Sequence, residues 1–145
     1  MKSYLDLNIW QRASDLFVEL HKLLEHPSLF RDRYLREQLL RAALSVALNI
    51  SEGNGRGSRK EFAHFLRIAR GSLDEVGAAL HIARKIYPVL EIPDRHFTSI
   101  EQLKRSINAL IRKLTEGAQG TKTMALTSLD PNLTDELTPL KFPEN

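Results

Sequence analysis

Leu39-Leu40-Arg41-Ala42-Ala43-Leu44-Ser45-Val46-Ala47-Leu48-Asn49-Ile50, then Ser51-Glu52-Gly53-Asn54-Gly55-Arg56-Gly57, then Ser58-Arg59-Lys60-Glu61-Phe62: the fold turns on these residues. The first run is Leu, Ala, Val and Ile, with polar residues only at Arg41, Ser45 and Asn49. That four-residue spacing is one stripe along a helix. Three glycines within five positions predict a break after about Ser51. Ser58-Arg59-Lys60-Glu61 reads as a capping box: the Ser58 hydroxyl accepts from the Glu61 amide and the Glu61 carboxylate reaches back. A helix, a glycine turn and a capped helix within two dozen residues make a helical hairpin.

Working outward, Phe62, Phe65, Leu66, Ala69, Leu73, Val76, Leu80, Ala83 and Tyr87 trace one face of the helix that Ser58 opens. Gly71 and Gly77 interrupt it at up to about 1 kcal/mol each in helix propensity, which predicts close approach of a neighbouring helix. Upstream, Asp32 caps the helix that ends near Ser51, and Ser28 to Arg31 reads as a loop. Before it, Asn8 reads as the cap of a first helix carrying Trp10, Ala13, Phe17, Leu20 and Leu24, stopped by His26-Pro27. Downstream, Pro93-Asp94 bounds a last helix with Phe97, Ile100, Leu103, Ile107, Leu110, Ile111 and Leu114, fading at Gly117. No segment alternates with period two. The expected fold class is all-α: an up-down four-helix bundle over residues 1–116. Residues 117–145 form an irregular C-terminal tail. Its Met124, Leu126, Leu129, Leu133, Leu137, Leu140 and Phe142 either stay on a flexible segment or lie on a surface, a neighbour's included.

Charge separates the same two regions. Residues 1–116 hold nineteen Lys/Arg against fourteen Asp/Glu, and residues 117–145 hold two against four. Residues 31–70 alone carry nine against four, so the basic excess belongs to one segment. The chain has no cysteine, which excludes disulfides, thiolate metal ligands and thiol nucleophiles. No apolar run approaches a membrane span, and Met1 to Asp6 has no signal-like core. A cytoplasmic address without membrane contact is therefore expected.

The helix from Leu39 to Ile50 is apolar around most of its circumference, and such a helix is expected to be buried on more than one side. In a four-helix monomer Leu40, Leu44 and Leu48 would line up in solvent, unless these residues are only good helix formers at a tolerant surface. Self-association through this helix is the expectation.

Arg41, Ser45, Asn49, Glu52 and Gly53, then Arg56, then Ser58, Glu61 and Phe62 resemble the signature of the four-helix-bundle family of 23S rRNA intervening-sequence proteins. That signature is R-A-A-x-S-x-x-x-N-I-x-E-G, then G-R, then S-x-x-E-F. Leu7-x-Ile9-Trp10-Gln11-x-Ala13 and Ile68-Ala69-Arg70-Gly71-Ser72-Leu73-x-Glu75 are similar to it too, and the resemblance runs over about residues 5–114. It implies a ring-like homo-oligomer, a homopentamer in relatives, with no established enzymatic activity. It also implies a distant likeness to the accessory protein of diversity-generating retroelements, a pentamer that binds nucleic acid and a reverse transcriptase.

Read as residues, Asn49 and Glu52 are placed to bond the loop's free amides while Gly53 supplies a turn with positive φ. The functional alternative is that Gly53 to Ser58 presents amides to a phosphate, with Arg56 adding charge. The Gly-Lys-Ser/Thr of a nucleotide loop is missing, so ATP is not expected. Glu61-x-x-His64 resembles half of a di-iron ligand set, but it has no second copy and points away from the apolar face. No metal, cofactor or catalytic residue is expected, so the chain reads as no enzyme. Arg59, Lys60, Arg67 and Arg70 fall within about a quarter of their helix's circumference, and with Arg56 they are the candidate nucleic-acid contacts. Their alternative is a solvated basic face paired with Asp74 and Glu75. Two functions follow: an RNA-binding oligomer associated with rRNA intervening sequences, or a structural or adaptor oligomer that binds another protein.

Overall fold

Local capping places the helices. A computed structural model describes residues 3–116, which form a 3-10 turn, Tyr4–Asp6, and helices α1 Asn8–Leu23, α2 Pro27–Arg31, α3 Arg33–Gly55, α4 Arg59–Ile86 and α5 Asp94–Glu116. The described residues contain no strand. The tail, with its row of leucines, lies outside them.

Ser58 caps α4: its Oγ accepts from the Glu61 amide at 3.1 Å and its hydroxyl donates to the Glu61 carboxylate at 3.3 Å. The carboxylate thus meets the Ser58 hydroxyl instead of the Ser58 amide. Asp32 caps α3 by accepting from the Leu35 amide at 3.1 Å. Its other carboxylate oxygen accepts from the Tyr87 hydroxyl at 2.7 Å, which ties the start of α3 to the end of α4. That hydrogen bond, with some burial and the charge of Asp32, raises the Tyr87 pKa.

Three boundaries differ from the sequence reading. Asn8 is the first residue of α1, not its cap; Leu7 holds that position, and the Asn8 side chain accepts from Arg12 at 3.4 Å. Ser28 to Arg31 is helical, because a proline that stops one helix suits the first turn of the next. Pro27 opens α2 while His26 Nδ1 accepts from the Ser28 amide at 3.3 Å. Finally, α3 runs through Gly53 to Gly55.

The long helices pack as a closed square: α1 and α4 each touch α3 and α5. Contacts fix neighbouring helices as antiparallel. Ser45 meets Ser72, Asp74 meets Lys104, Arg70 meets Asn108, and Arg12 meets Ser106 while Glu19 meets Arg95. This is the up-down bundle that four amphipathic stripes require. Leu20, Leu39, Val46, Ile50, Phe62, Leu66, Leu73, Leu80, Leu103 and Ile107 are fully buried at its centre. Trp10 and Phe17 pack on the core only in part.

The glycines divide the work differently from the sequence expectation. Gly57 alone among the described residues takes positive φ, 81°, and supplies the left-handed turn between α3 and α4. Gly53 is helical and lets the two helices touch: a Cβ there would lie 2.8 Å from the Cβ of Phe65 and 3.2 Å from the Phe62 ring. Gly71 has nothing within 4 Å of such a Cβ, and Gly77 has only the Ile100 side chain at 3.9 Å, so neither serves close packing within the chain.

His96, in the first turn of α5, is 4% exposed. Burial and the neighbouring Arg95 lower its pKa, with Glu19 opposing them in part; Arg12 and Asp15 of α1 share its surroundings. The unfolded chain therefore binds a proton below about pH 6.5 that the folded chain resists, so stability falls as pH drops through that value. Urea midpoints at about pH 7.5 and about pH 5.5 are expected to differ less in His96→Gln than in the parent.

Candidate functional site

Of the motif residues on α3, Ser45 reaches α4 and Glu52 reaches the turn. Ser45 and Ser72 share a hydrogen bond of 2.9 Å across the helices, and Asn49 Nδ2 donates to the Ser45 carbonyl at 2.8 Å and to its Oγ at 3.0 Å. Asn49 therefore holds Ser45 in place instead of serving the loop amides. Glu52 does not bond them either: it accepts from Arg56 Nε at 2.8 Å. Arg56 in turn stacks over the Phe65 ring, 5.1 Å from its centroid. Arg41 stands exposed on α3, with no hydrogen bond or ion pair to any described residue.

The five candidate nucleic-acid contacts separate into two groups. Arg59 and Arg70 turn toward α5. Arg59 donates to the Lys113 carbonyl at 3.1 Å, completing the end of α5, and its Nε is buried without a partner. Arg70 donates to Asn108 Oδ1 at 2.8 Å. Arg56, Lys60 and Arg67 instead surround an open depression of about 600 Å³, with Glu61, His64 and Phe65 completing its wall. His64 meets the Phe65 ring edge-on at 5.4 Å. The depression thus offers three cations beside a half-buried ring and an exposed imidazole.

Of the expected acidic partners, Asp74 pairs with Lys104 of α5 at 2.6 Å, and this bond raises the Lys104 pKa. Glu75 pairs with no described residue. His81 stacks on Phe97, 4.5 Å between centroids. Arg31, Arg33 and Arg36 lie at the far end of the bundle, where Asp32 meets Tyr87; Arg33 pairs with Glu37 and Arg36 stacks on Phe30.

Leu44 and Leu48 are 42% and 55% exposed on the outer side of α3, and Leu40 is half-buried. Ile68, Ile82 and Ile86 are exposed on α4. Glu61 and His64 are both exposed, and no three His, Cys, Asp or Glu among the described residues are grouped to hold a metal. No described helix is long and apolar enough to cross a membrane.

The stacking of Arg56 on Phe65 and the bond from Arg70 to Asn108 were not legible in the sequence, because both depend on how helices cross. The only sequence signal was an aromatic residue and a basic residue within one turn of the motif.

No curated protein gives a significant match to this chain. The profile of the 23S rRNA-intervening sequence protein family matches residues 5–89, from the 3-10 turn to just beyond α4. With more than half of its length matched, including the whole stretch from Arg41 to Phe62, this chain belongs to the 23S rRNA-intervening sequence protein family.

Proposed function

We propose that the protein is a non-enzymatic RNA-binding assembly protein, associated with rRNA intervening sequences, that binds RNA at the depression on the first turns of α4, beside the turn that leads into it. The observation that carries this reading is the grouping of Arg56, Lys60 and Arg67 around Phe65 and His64. Cations neutralise phosphate, and aromatic rings take unstacked bases, the pair of interactions that single-stranded RNA requires. The exposed Leu44 and Leu48 support self-association, with the pentameric ring of the resemblance as its form. A ring repeats the basic depression, and polyanion affinity grows with the number of phosphates neutralised.

Arg56, Lys60 and Arg67 changed together to Gln test the reading, since Arg59 and Arg70 also hold α5 in place. Affinity for single-stranded RNA at low salt is expected to fall about tenfold or more. The slope of log affinity against log salt should flatten by about 0.7 per lost phosphate contact. The loss should be similar across sequences, because phosphate contacts carry little sequence information. Parent-like affinity and slope in the variant would overturn the reading. A second reading, an adaptor oligomer, rests on the exposed Ile68, Ile82 and Ile86 of α4; it predicts no RNA shift below micromolar protein.

A further inference from the structure

The seam between α1 and α5 is the least extensive of the four in the bundle, and it is not filled. A cleft of about 520 Å³ runs along it, within the range of small-molecule sites. Leu16 gives it an apolar surface, and the polar groups are Arg12, Asp15 and Glu19 from α1 facing Arg95 and His96 from α5.

Their pairing is incomplete. His96 is 4% exposed and lines the cleft; its imidazole bonds to no described residue, and its ring nitrogens are not sealed from solvent. An imidazole with solvent-reached nitrogens and no protein partner is open to a ligand that replaces water on them. Asp15 is exposed and equally unpaired. Glu19 and Arg95 approach only to 3.7 Å, too far for a good hydrogen bond. Arg12 is held at the other end by Ser106 and Asn8.

These groups define the ligand. Two carboxylates and a buried imidazole suit an ammonium group, which has three donors to share. Burial keeps that imidazole neutral, with a lone pair free to accept. The Arg95 guanidinium suits a carboxylate. Two arginines balance two acids in the lining, so neither a simple anion nor a simple cation is favoured. No three metal-ligating groups come together there.

We propose that the α1/α5 cleft binds a small zwitterion of the α-amino-acid class, its ammonium between Asp15, Glu19 and His96 and its carboxylate on Arg95. The site lies at the opposite end of α4 from the RNA-binding depression and is independent of it.

Titration calorimetry on the full chain tests this, using a panel of free L-amino acids with their N-acetyl and carboxamide derivatives. At least one free amino acid is expected to bind saturably at millimolar concentration or below. Its N-acetyl and carboxamide forms, each lacking one charge, should bind about tenfold more weakly or worse. Asp15→Asn and Arg95→Gln, both at exposed positions that leave folding intact, should each weaken binding by a similar factor. Lys85→Gln, on exposed α4 surface, should not. The proposal is overturned if no amino acid binds, if the blocked derivatives bind as well as the free compound, or if the Asp15 and Arg95 variants bind like the parent.

Discussion

Gly53→Val is expected to lower stability by about 1–3 kcal/mol, the range for forcing extra atoms into a packed interior. The cause is steric crowding between helices. The added Cβ would meet the Phe65 Cβ at 2.8 Å, and a Cβ cannot swing aside as the end of a long side chain can. The Phe62 ring, fully buried below, leaves no second direction for relief. α3 and α4 must then separate over the most extensive contact in the bundle. Gly71→Ala is the matching control: nothing stands within 4 Å of its Cβ, so relief of helix-propensity cost should stabilise the chain by about 0.5–1 kcal/mol. Arg56→Ala removes an exposed pair with Glu52, worth about 0–1 kcal/mol. Thermal midpoints should therefore rank Gly71→Ala above the parent, Arg56→Ala close to it and Gly53→Val clearly below. A parent-like midpoint for Gly53→Val would show that α3 and α4 have room to spare.

The second large effect concerns assembly, and it rests on the proposal that α3 lies between subunits. Leu44→Glu with Leu48→Glu is expected to convert the assembly to monomer. Each leucine is about half exposed, so taking the rest of it out of water contributes about 1 kcal/mol, roughly half the value for a whole side chain, and each carboxylate put in its place resists burial without a partner. Both positions are exposed in the single chain and glutamate is a good helix former, so the fold should survive. Light scattering should report the fall in mass, while circular dichroism keeps its helical signal. Persistence of the parent mass would place the interface elsewhere, with Ile68, Ile82 and Ile86 of α4 the next surface to change.

The sequence carried the helices and much less of the site. Ser58 and Asp32 are legible as caps because capping depends on a few consecutive residues. The stripes from Phe62 to Ala83 and from Ile100 to Leu114 are legible because period alone exposes them. Glycine was harder. Gly53, Gly55 and Gly57 look alike in sequence, yet one touches α4, one faces open space and one makes the turn. Only the crossing of two helices separates those roles. The basic stripe hid its packing partners for the same reason. Arg59 and Arg70 share a quarter of α4 with Lys60 and Arg67, but the quarter straddles the edge of α5, so two of the four reach into a seam. The α1/α5 cleft left no sequence signal, because Asp15 and His96 are eighty-one positions apart.

That separation bears on how the chain folds and breathes. α3 and α4 are joined by three residues, Arg56, Gly57 and Ser58, so their contact closes a very short loop at little entropic expense. α1 and α5 meet only after the chain has doubled back, and the bond from Arg12 to Ser106 spans 94 positions. The central hairpin is then the natural nucleus, and the α1/α5 seam is the last part to zip up. Having the least extensive contact, it is also the first to come apart in local opening. Amides of α1 should exchange with solvent sooner than those in the middle of α3, and a ligand bound in the proposed cleft would latch the first helix to the last and slow that exchange.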